Sequence, residues 1–128
     1  MSNIKLSASI EDYLETIYEY TEKNIRIKAV DIAKKLNISR ASVTESLQKL
    51  AQKEYLIYEK KHPIELTELG IEIAKNVIYK HRILCDFFTN ILKIDKEDAE
   101  INACRIEHVI TQTAFDRIVE MVNSNNNL

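Results

Sequence analysis

The scarcity of glycine and proline constrains the fold of this chain more than any other feature of the sequence. Its 128 residues include one glycine, Gly70, and one proline, Pro63. Because these two residue types supply most sharp turns and end many helices, few tight loops are available. We therefore expect a mainly α-helical protein without the glycine-rich loops that bind nucleotide phosphates.

Length and composition limit the broad class of protein. A chain of this length with 45% apolar residues can form one compact unit, or two small subdomains that share a core. No apolar run approaches the roughly 20 residues of a membrane span, and the N-terminus lacks an apolar signal region. Two cysteines, Cys85 and Cys104, are too few for a disulfide framework. We expect a cytoplasmic protein that does not associate with membranes.

The charges are unevenly distributed along the chain. Net charge is −2, but residues 26–61 carry nine Lys and Arg against four acids, a balance of +5, which leaves −7 for the remainder. A basic block within an acidic protein indicates a module that faces a polyanion, joined to a part that handles cations.

The first helix is predicted at about residues 9–22, in the stretch SIEDYLETIYEYTEK. Its apolar residues recur at helical spacing, and Ser9 is placed to cap its start. Asp12 and Glu15 lie three residues apart, so they share a face that borders the apolar stripe. Two acids there are also explained as solvated residues that the helix dipole favours.

The stretch from residue 25 to residue 70 predicts a winged helix-turn-helix. Two short amphipathic helices are expected at about 29–36 and 40–53, separated by a tight turn in which Ser39 caps the second helix. A β-hairpin follows, with alternating apolar residues on both sides of a turn at residues 60–63. Residues 1–70 are therefore predicted to form a DNA-binding domain.

The second of these helices has the properties of a recognition helix. Val43, Leu47 and Leu50 point one way, and the opposite face starts with small residues and continues with long polar ones, which suits insertion into the major groove of double-stranded DNA. A solvated helix face that binds nothing is the alternative. Glu45 on this face either reads a base or repels phosphate, and the sequence leaves both open. The predicted DNA-binding residues are Lys28, Ser39, Arg40, Ala41, Ser42, Thr44, Glu45, Gln48, Lys49, Lys60 and Lys61.

The second half of the chain predicts a helical dimerisation domain at residues 71–128. One long helix is expected from Thr67 to about residue 92, and another through residues 101–122 after the polar segment KIDKEDAE. Together they carry more apolar surface than a winged-helix module can bury alone, which favours a homodimer. The apolar residues concerned are Phe87, Phe88, Ile91, Ile106, Ile110, Phe115, Ile118 and Met121.

The run CRIEHV at residues 104–109 places metal-binding side chains on the last of these predicted helices. At about 100° per residue, Glu100, Cys104, Glu107 and His108 fall within one arc of the helix. A thiolate, a carboxylate and an imidazole so spaced are efficient metal donors, although divalent ions want four to six. His81, Asp12 and Glu15 are candidates for the remaining ligands. Taken singly, His81 is also explained as a surface histidine, Cys104 as a packing residue and Glu107 as a solvated acid.

Five segments in this order resemble a known family. They are EDYLETIYEY, VDIAKKLNISRASVTESLQKLAQKEYLIYEK, LTELG, YKH and CRIEHV. Over almost its whole length the chain is similar to the diphtheria toxin repressor and manganese transport regulator family of metal-dependent bacterial repressors. The resemblance implies a DNA-binding repressor with a divalent metal as co-repressor, and a homodimer that binds a palindromic operator.

The resemblance also implies a set of metal ligands. Asp12 matches a first-helix ligand that is aspartate in the manganese regulators and methionine in the iron regulators, and Glu15 matches a second ligand of the manganese branch. His81, Glu107 and His108 match ligands common to both branches. The remaining matches are Cys104, at a cysteine ligand of the iron branch, Cys85, where iron regulators tend to have a glutamate of an ancillary site, and Glu100 as a possible additional ligand.

The predicted function is repression of metal-uptake genes, with Fe²⁺ favoured as the metal and Mn²⁺ next. A thiolate favours Fe²⁺ over Mn²⁺, whereas Asp12 and Glu15 act in the opposite direction. The length resembles the manganese branch, so no additional SH3-like domain is expected. Two alternatives remain: a metal-independent winged-helix regulator or thiol redox sensor that uses Cys85 and Cys104, and a small metal hydrolase with Glu107 as base. The sequence offers no loop to form a substrate pocket, so we expect neither an enzyme nor a small-molecule substrate.

Overall fold

The computed structural model describes residues 10–127, and these are mainly helical, as predicted. The elements in chain order are α1 (Ile10–Glu22), α2 (Ala29–Leu36), α3 (Arg40–Gln52), β1 (Leu56–Ile57), β2 (Glu65–Leu66), α4 (Glu68–Asp86), a π-helix (Phe87–Ile91), α5 (Lys96–Ile106) and α6 (Gln112–Asn126). The chain forms two compact units, Met1–Lys75 and Asn76–Leu128, and the division falls inside α4. None of the helices described is long and apolar enough to cross a membrane.

The first unit is the predicted winged helix-turn-helix, with α1, α2 and α3 around one apolar core. Leu14, Ile17, Ile32, Val43 and Leu47 are completely buried in that core. Since these residues recur at helical spacing in three successive segments, their burial stabilises three helices at once. The predicted cap at Ser9 lies outside the described residues.

The turn between α2 and α3 is formed by local hydrogen bonds. Asn37 takes a left-handed conformation with φ 58° and donates its backbone N–H to the carbonyl of Ala33, which ends α2. Ser39 then caps α3, as predicted, since its hydroxyl accepts a hydrogen bond from the backbone N–H of Ser42 at 3.1 Å. The predicted recognition helix, α3, therefore starts at a position that the sequence defines.

The wing is an antiparallel pair of strands, shorter than the alternating pattern predicted. Leu56 lies opposite Leu66 and Ile57 lies opposite Glu65. Lys61 provides the left-handed residue of the turn, with φ 63°. Tyr58 and Ile64, expected within the strands, lie outside them but still pack, partly buried, against the core.

The junction between the wing and α4 depends on close backbone contact. Thr67 donates its backbone N–H to the carbonyl of Tyr55 at 3.0 Å and its hydroxyl to the carbonyl of Glu54 at 2.7 Å. The same hydroxyl accepts from the backbone N–H of Gly70 at 3.2 Å, which caps the start of α4. A Cβ atom on Gly70 would lie 2.1 Å from the carbonyl oxygen of Tyr55, so only glycine fits.

The second unit has its own apolar core, formed by the end of α4, the π-helix, α5 and α6. Leu84, Ala103, Phe115 and Val122 are buried in it, and the ring of Tyr79 packs edge-on against that of Phe115. Of the apolar set predicted for dimerisation, Phe115 is buried and Met121 is 50% exposed. The other six members are partly buried against the core.

The prediction of one continuous helix through residues 101–122 was wrong. The structure has two helices, and α5 begins earlier, at Lys96, because the carboxylate of Asp95 accepts from the backbone N–H of Asp98 at 2.8 Å. It ends at Ile106, and α6 begins only after Thr111, whose hydroxyl accepts from the backbone N–H of Ala114 at 3.2 Å. Residues 107–111 therefore form a turn, and CRIEHV spans a helix end rather than a helix.

Replacing Gly70 with Ala should destabilise the protein by about 1–3 kcal/mol, the usual cost of forcing a methyl group into a packed site. The new Cβ would clash with the carbonyl of Tyr55, which must move and weaken its hydrogen bond with Thr67. Denaturant unfolding monitored by circular dichroism measures the difference. Glu72→Ala, at an exposed position of the same helix, is the matched control and should change the free energy of unfolding by less than about 0.5 kcal/mol.

Candidate metal centre and nucleic-acid interface

Two pairs of potential metal ligands, each with i, i+4 spacing, form the first part of the candidate metal site. His81 and Cys85 lie on α4, and Glu100 and Cys104 lie on α5. Residues four apart share one face of a helix, so each helix presents two donors together. On α5 the small residues Ala99 and Ala103 are fully buried, which allows this helix to approach its neighbours closely.

Glu100 joins the two helices. One of its carboxylate oxygens lies 3.0 Å from Nε2 of His81, and the other accepts a hydrogen bond from the thiol of Cys85 at 3.2 Å. The sulfur of Cys85 is itself 3.4 Å from Nε2 of His81. Each of these three groups, the imidazole, the thiol and the carboxylate, thus contacts the other two.

The turn after α5 supplies a second carboxylate. Glu107 follows the last residue of α5 and is only 3% exposed. Its carboxylate accepts from Nδ1 of His81 at 2.8 Å, and its other oxygen lies 3.3 Å from Nε2 of His108. Because a buried carboxylate without partners is costly, these contacts explain how Glu107 is accommodated. Its alternative interpretation as a solvated acid was wrong.

Cys104 lies at the border of this group. Its side chain is exposed, and its sulfur is 4.0 Å from Nδ1 of His81. Four predicted ligands of the second unit, His81, Cys104, Glu107 and His108, are therefore connected by contacts through His81 and Glu107. Asp12 and Glu15 are half-buried on α1 in the first unit.

The structure adds two side chains whose role the sequence did not define. Cys85 and Glu100 were predicted only as possible additional ligands, yet both directly contact His81. The i, i+4 spacing on both helices was a signal for them. Which helix faces lie together is a tertiary property that the pattern alone does not supply.

Both ring nitrogens of His81 face carboxylates, which strongly favours its protonated form. The hydrogen bond with Glu107 is the main cause of a pKa raised from 6.5 to about 9, and Glu100 adds to it while burial opposes it. Burial and the neighbouring Glu100 raise the pKa of the Cys85 thiol to about 12. Contacts with Cys85 and His81 lower the pKa of Glu100. A protonated imidazole thus lies between two carboxylates.

These donors fit a divalent transition metal. Ligand atoms of His81, Cys85 and Glu100 all lie within 4.8 Å of one another. A nitrogen, a sulfur and an oxygen donor suit ions of borderline softness, such as Fe²⁺, Co²⁺ and Zn²⁺, better than ions that prefer oxygen alone. Binding would require loss of the proton on His81 and of the proton on any coordinating thiol.

The first unit carries the candidate nucleic-acid interface on α3 and the wing. Ten of the eleven predicted DNA-binding residues are exposed, and Thr44 is half-buried at the edge of the core-facing side. On α3 the carboxylate of Glu45 lies 3.9 Å from Nζ of Lys49, and both side chains are about 70% exposed. The predicted recognition face is therefore accessible in this unit.

Replacing Glu107 with Gln should lower the pKa of His81 from about 9 towards its ordinary value of 6.5, since the largest contribution to the shift is removed. NMR titration of the histidine side chains in metal-free protein measures the change. Glu97→Gln removes an exposed acid from the first turn of α5 and should leave the pKa unchanged. A pKa near 6.5 in the wild-type protein would contradict the arrangement of His81 between carboxylates.

The same shift gives a sign to the pH dependence of stability in metal-free protein. Because the folded-state pKa is above the unfolded value, the folded protein binds this proton more tightly. The stabilisation is complete below about pH 6.5 and is lost as the pH rises through about 9. Denaturant unfolding across this range should show that the decrease is smaller in Glu107→Gln than in the wild type.

Two family models match successive parts of the chain. The first, described as iron dependent repressor, N-terminal DNA binding domain, matches residues 5–64. The second, described as iron dependent repressor, metal binding and dimerisation domain, matches residues 67–127. Together they cover nearly the whole chain. The elements from α1 to β1 lie in the first matched region, and His81, Glu107 and His108 lie in the second.

Individual relatives agree with these matches. The chain is 40% identical to an uncharacterized HTH-type transcriptional regulator of Methanocaldococcus jannaschii, over 88% of this chain and 91% of the relative. It is 39% identical to the HTH-type transcriptional regulator MntR of Bacillus subtilis, over 89% and 80%. The solved manganese regulator SloR has a TM-score of 0.81 at 28% identity; the match covers 92% of this chain and 55% of that chain, so this sequence spans about half of SloR.

The matches also decide between the classes of protein considered from the sequence. Members of the matched family are DNA-binding transcriptional regulators, not enzymes, so the hydrolase alternative is excluded. The expected family is confirmed, and its two models describe a DNA-binding region followed by a metal-binding and dimerisation region. This chain belongs to the iron-dependent repressor family of metal-dependent transcriptional repressors.

Proposed function

We propose that this protein represses metal-uptake genes when it binds Fe²⁺, as a homodimer on a palindromic operator. The contact of His81 with two carboxylates and a thiol is the observation that carries the proposal. Residues 1–70 would act as the DNA-binding domain and residues 71–128 as the metal-binding and dimerisation domain. The descriptions of the two matched family regions support that assignment.

The proposed ligands are those that the resemblance implies. His81, Glu107 and His108 form a connected set in the second unit, and the sulfur of Cys104 is near His81. Cys85 and Glu100 are additional donors on the other ring nitrogen of His81. The resemblance assigns Asp12 and Glu15 of α1 to the same ligand set.

The residues themselves explain why metal would change DNA binding. Without metal, a proton on His81 offsets the charge of Glu100 and Glu107. A divalent cation supplies two positive charges in its place and attracts further carboxylates. Asp12 and Glu15 belong to the DNA-binding domain, so their coordination would tie this domain to the metal-binding one. In a homodimer this sets the spacing of the two recognition helices, which must match half-sites one helical turn or a multiple apart.

The identity of the metal is the finer part of the proposal. Two thiols near His81 favour Fe²⁺ over Mn²⁺, because Mn²⁺ binds well to oxygen donors and gains little from sulfur. The similarity to a manganese regulator, SloR, favours Mn²⁺ as the alternative. Metal availability in the cell contributes to selectivity as much as affinity does.

Replacing His108 with Ala should strongly weaken the response of DNA binding to metal while the protein stays folded. Fluorescence anisotropy with DNA from upstream of a metal-uptake gene of the same genome, in anaerobic buffer with and without Fe²⁺, measures the effect. The variant should need at least about tenfold more free metal, since removing even an indirect partner of a metal ligand costs that much. His62→Ala, on the wing, is the control and should keep the ratio of affinities with and without metal.

The outcomes of this titration separate the proposal from the remaining alternative. Equal affinity of the wild type with and without metal would contradict a metal co-repressor. A response to oxidant that Cys85→Ser or Cys104→Ser removes, without any effect of a chelator, would support a thiol redox sensor instead. Release of DNA by a chelator and recovery with added metal are expected.

Replacing Cys104 with Glu should shift the preferred metal from Fe²⁺ towards Mn²⁺. A carboxylate suits Mn²⁺ and a thiolate suits Fe²⁺. The free Mn²⁺ concentration needed for half-maximal DNA binding should therefore fall relative to the free Fe²⁺ concentration needed. Cys104→Ser is the control that removes the thiolate without adding a carboxylate. If wild-type protein responds to Mn²⁺ at lower free concentrations than to Fe²⁺, the assignment of Fe²⁺ is wrong.

A further inference from the structure

We propose that Glu45 reads a cytosine in the operator, by accepting a hydrogen bond from its exocyclic N4 amine in the major groove. The inference deepens the proposed function, since it rests on α3 as the recognition helix. It assigns a sequence-specific role to the one acidic side chain on the exposed face of α3.

Glu45 lies at the centre of the exposed face of α3. The buried side of this helix carries Val43, Leu47 and Leu50. At about 100° per residue, the exposed residues of the opposite side span an arc of about 120°. Glu45 is in the middle of that arc, with Ala41 and Gln48 on one side and Ser42 and Lys49 on the other. A helix that enters the groove along this face directs its central residue towards the base edges, and its marginal residues towards the phosphates.

The neighbours of Glu45 leave its carboxylate accessible. One turn earlier on the same face are Ala41 and Ser42, which are too short to reach past it. The hydroxyl of Ser42 is engaged with that of Ser39 at the helix cap, 3.0 Å away. No long side chain from the preceding turn of α3 therefore lies between Glu45 and a base edge near the N-terminal half of this helix.

The contact with Lys49 does not account for Glu45. The two charged groups are 3.9 Å apart and about 70% exposed, which is the geometry of a surface ion pair with little effect on stability. Lys49 does reduce the repulsion between the carboxylate and the DNA backbone. A structural role for Glu45 is thus weak, while its entry into an anionic groove is made less costly.

The chemistry of the groove then selects the base. An ionised carboxylate only accepts hydrogen bonds. In the major groove the only donors are the N4 amine of cytosine and the N6 amine of adenine, while guanine and thymine present acceptors or a methyl group. In an A·T pair the N6 amine lies between two acceptors, N7 of adenine and O4 of thymine, which both repel the second carboxylate oxygen. In a C·G pair the N4 amine has an acceptor on one side only, O6 of guanine, and the C5–H edge of cytosine on the other. A carboxylate at the centre of this face therefore favours cytosine.

The test compares selected sequences rather than affinities alone. Full-length protein with Fe²⁺ is allowed to select from double-stranded oligonucleotides with a randomised core, in parallel for wild type, Glu45→Gln and Glu45→Ala. Wild-type protein should prefer cytosine at one position of each half-site by at least about fivefold, the lower end of a good base contact. Both variants should lose that preference and keep those at the other positions. Glu22→Gln, an exposed acid at the end of α1, should select the same sequences as the wild type.

The results that would contradict base reading by Glu45 differ from those that would contradict the proposed function. Variants that bind all sequences more tightly by the same factor, with an unchanged preferred site, would overturn base reading and leave Glu45 as a residue that repels phosphate. Loss of preference at a position where wild type selects an A·T pair would also overturn it, since no cytosine is present there. Failure of the proposed function has another signature, because wild-type protein would then enrich no sequence, or the same sequence without metal.

Discussion

One imidazole between two carboxylates holds the second unit in its present arrangement. His81 on α4 contacts Glu100 on α5 with one ring nitrogen and Glu107, in the turn after α5, with the other. The hydrogen bonds are short because all three groups are charged when His81 is protonated. They also place Cys85 beside Glu100 and His108 beside Glu107. A protonated His81 thus holds the proposed metal donors together in the metal-free protein.

The first unit was largely predictable because its determinants are local. The apolar spacing of α1, α2 and α3 agrees with the residues that are buried, and Ser39 caps the recognition helix where the sequence placed it. The presence of only one glycine and one proline correctly indicated a mainly helical fold. The hairpin was found from its alternation, but its strands were overestimated, because flanking residues pack against the core without pairing.

The second unit was less predictable because its site depends on which helices meet. The prediction joined α5 and α6 because Ile106 and Ile110 keep helical spacing across the break, and it placed the polar residues 93–100, which include the start of α5, before the helix. The caps at Asp95 and Thr111 were the missed signals. The motif CRIEHV identified Cys104, Glu107 and His108 as candidate ligands. These residues do not share one helix face, because α5 ends at Ile106. No pattern showed that Glu100 and Cys85 converge on His81.

The end of α5 separates two candidate ligands that differ in burial: Glu107 is buried and Cys104 is exposed. Glu107 is buried and hydrogen-bonded, so most substitutions there would leave Nδ1 of His81 without its carboxylate partner and disturb the fold. Cys104 is exposed on the last turns of α5, where a change of side chain usually costs little stability. Under the proposed ligand assignment, the preferred metal can therefore change during evolution through single substitutions at residue 104, while the buried contacts between Glu107 and His81 are retained.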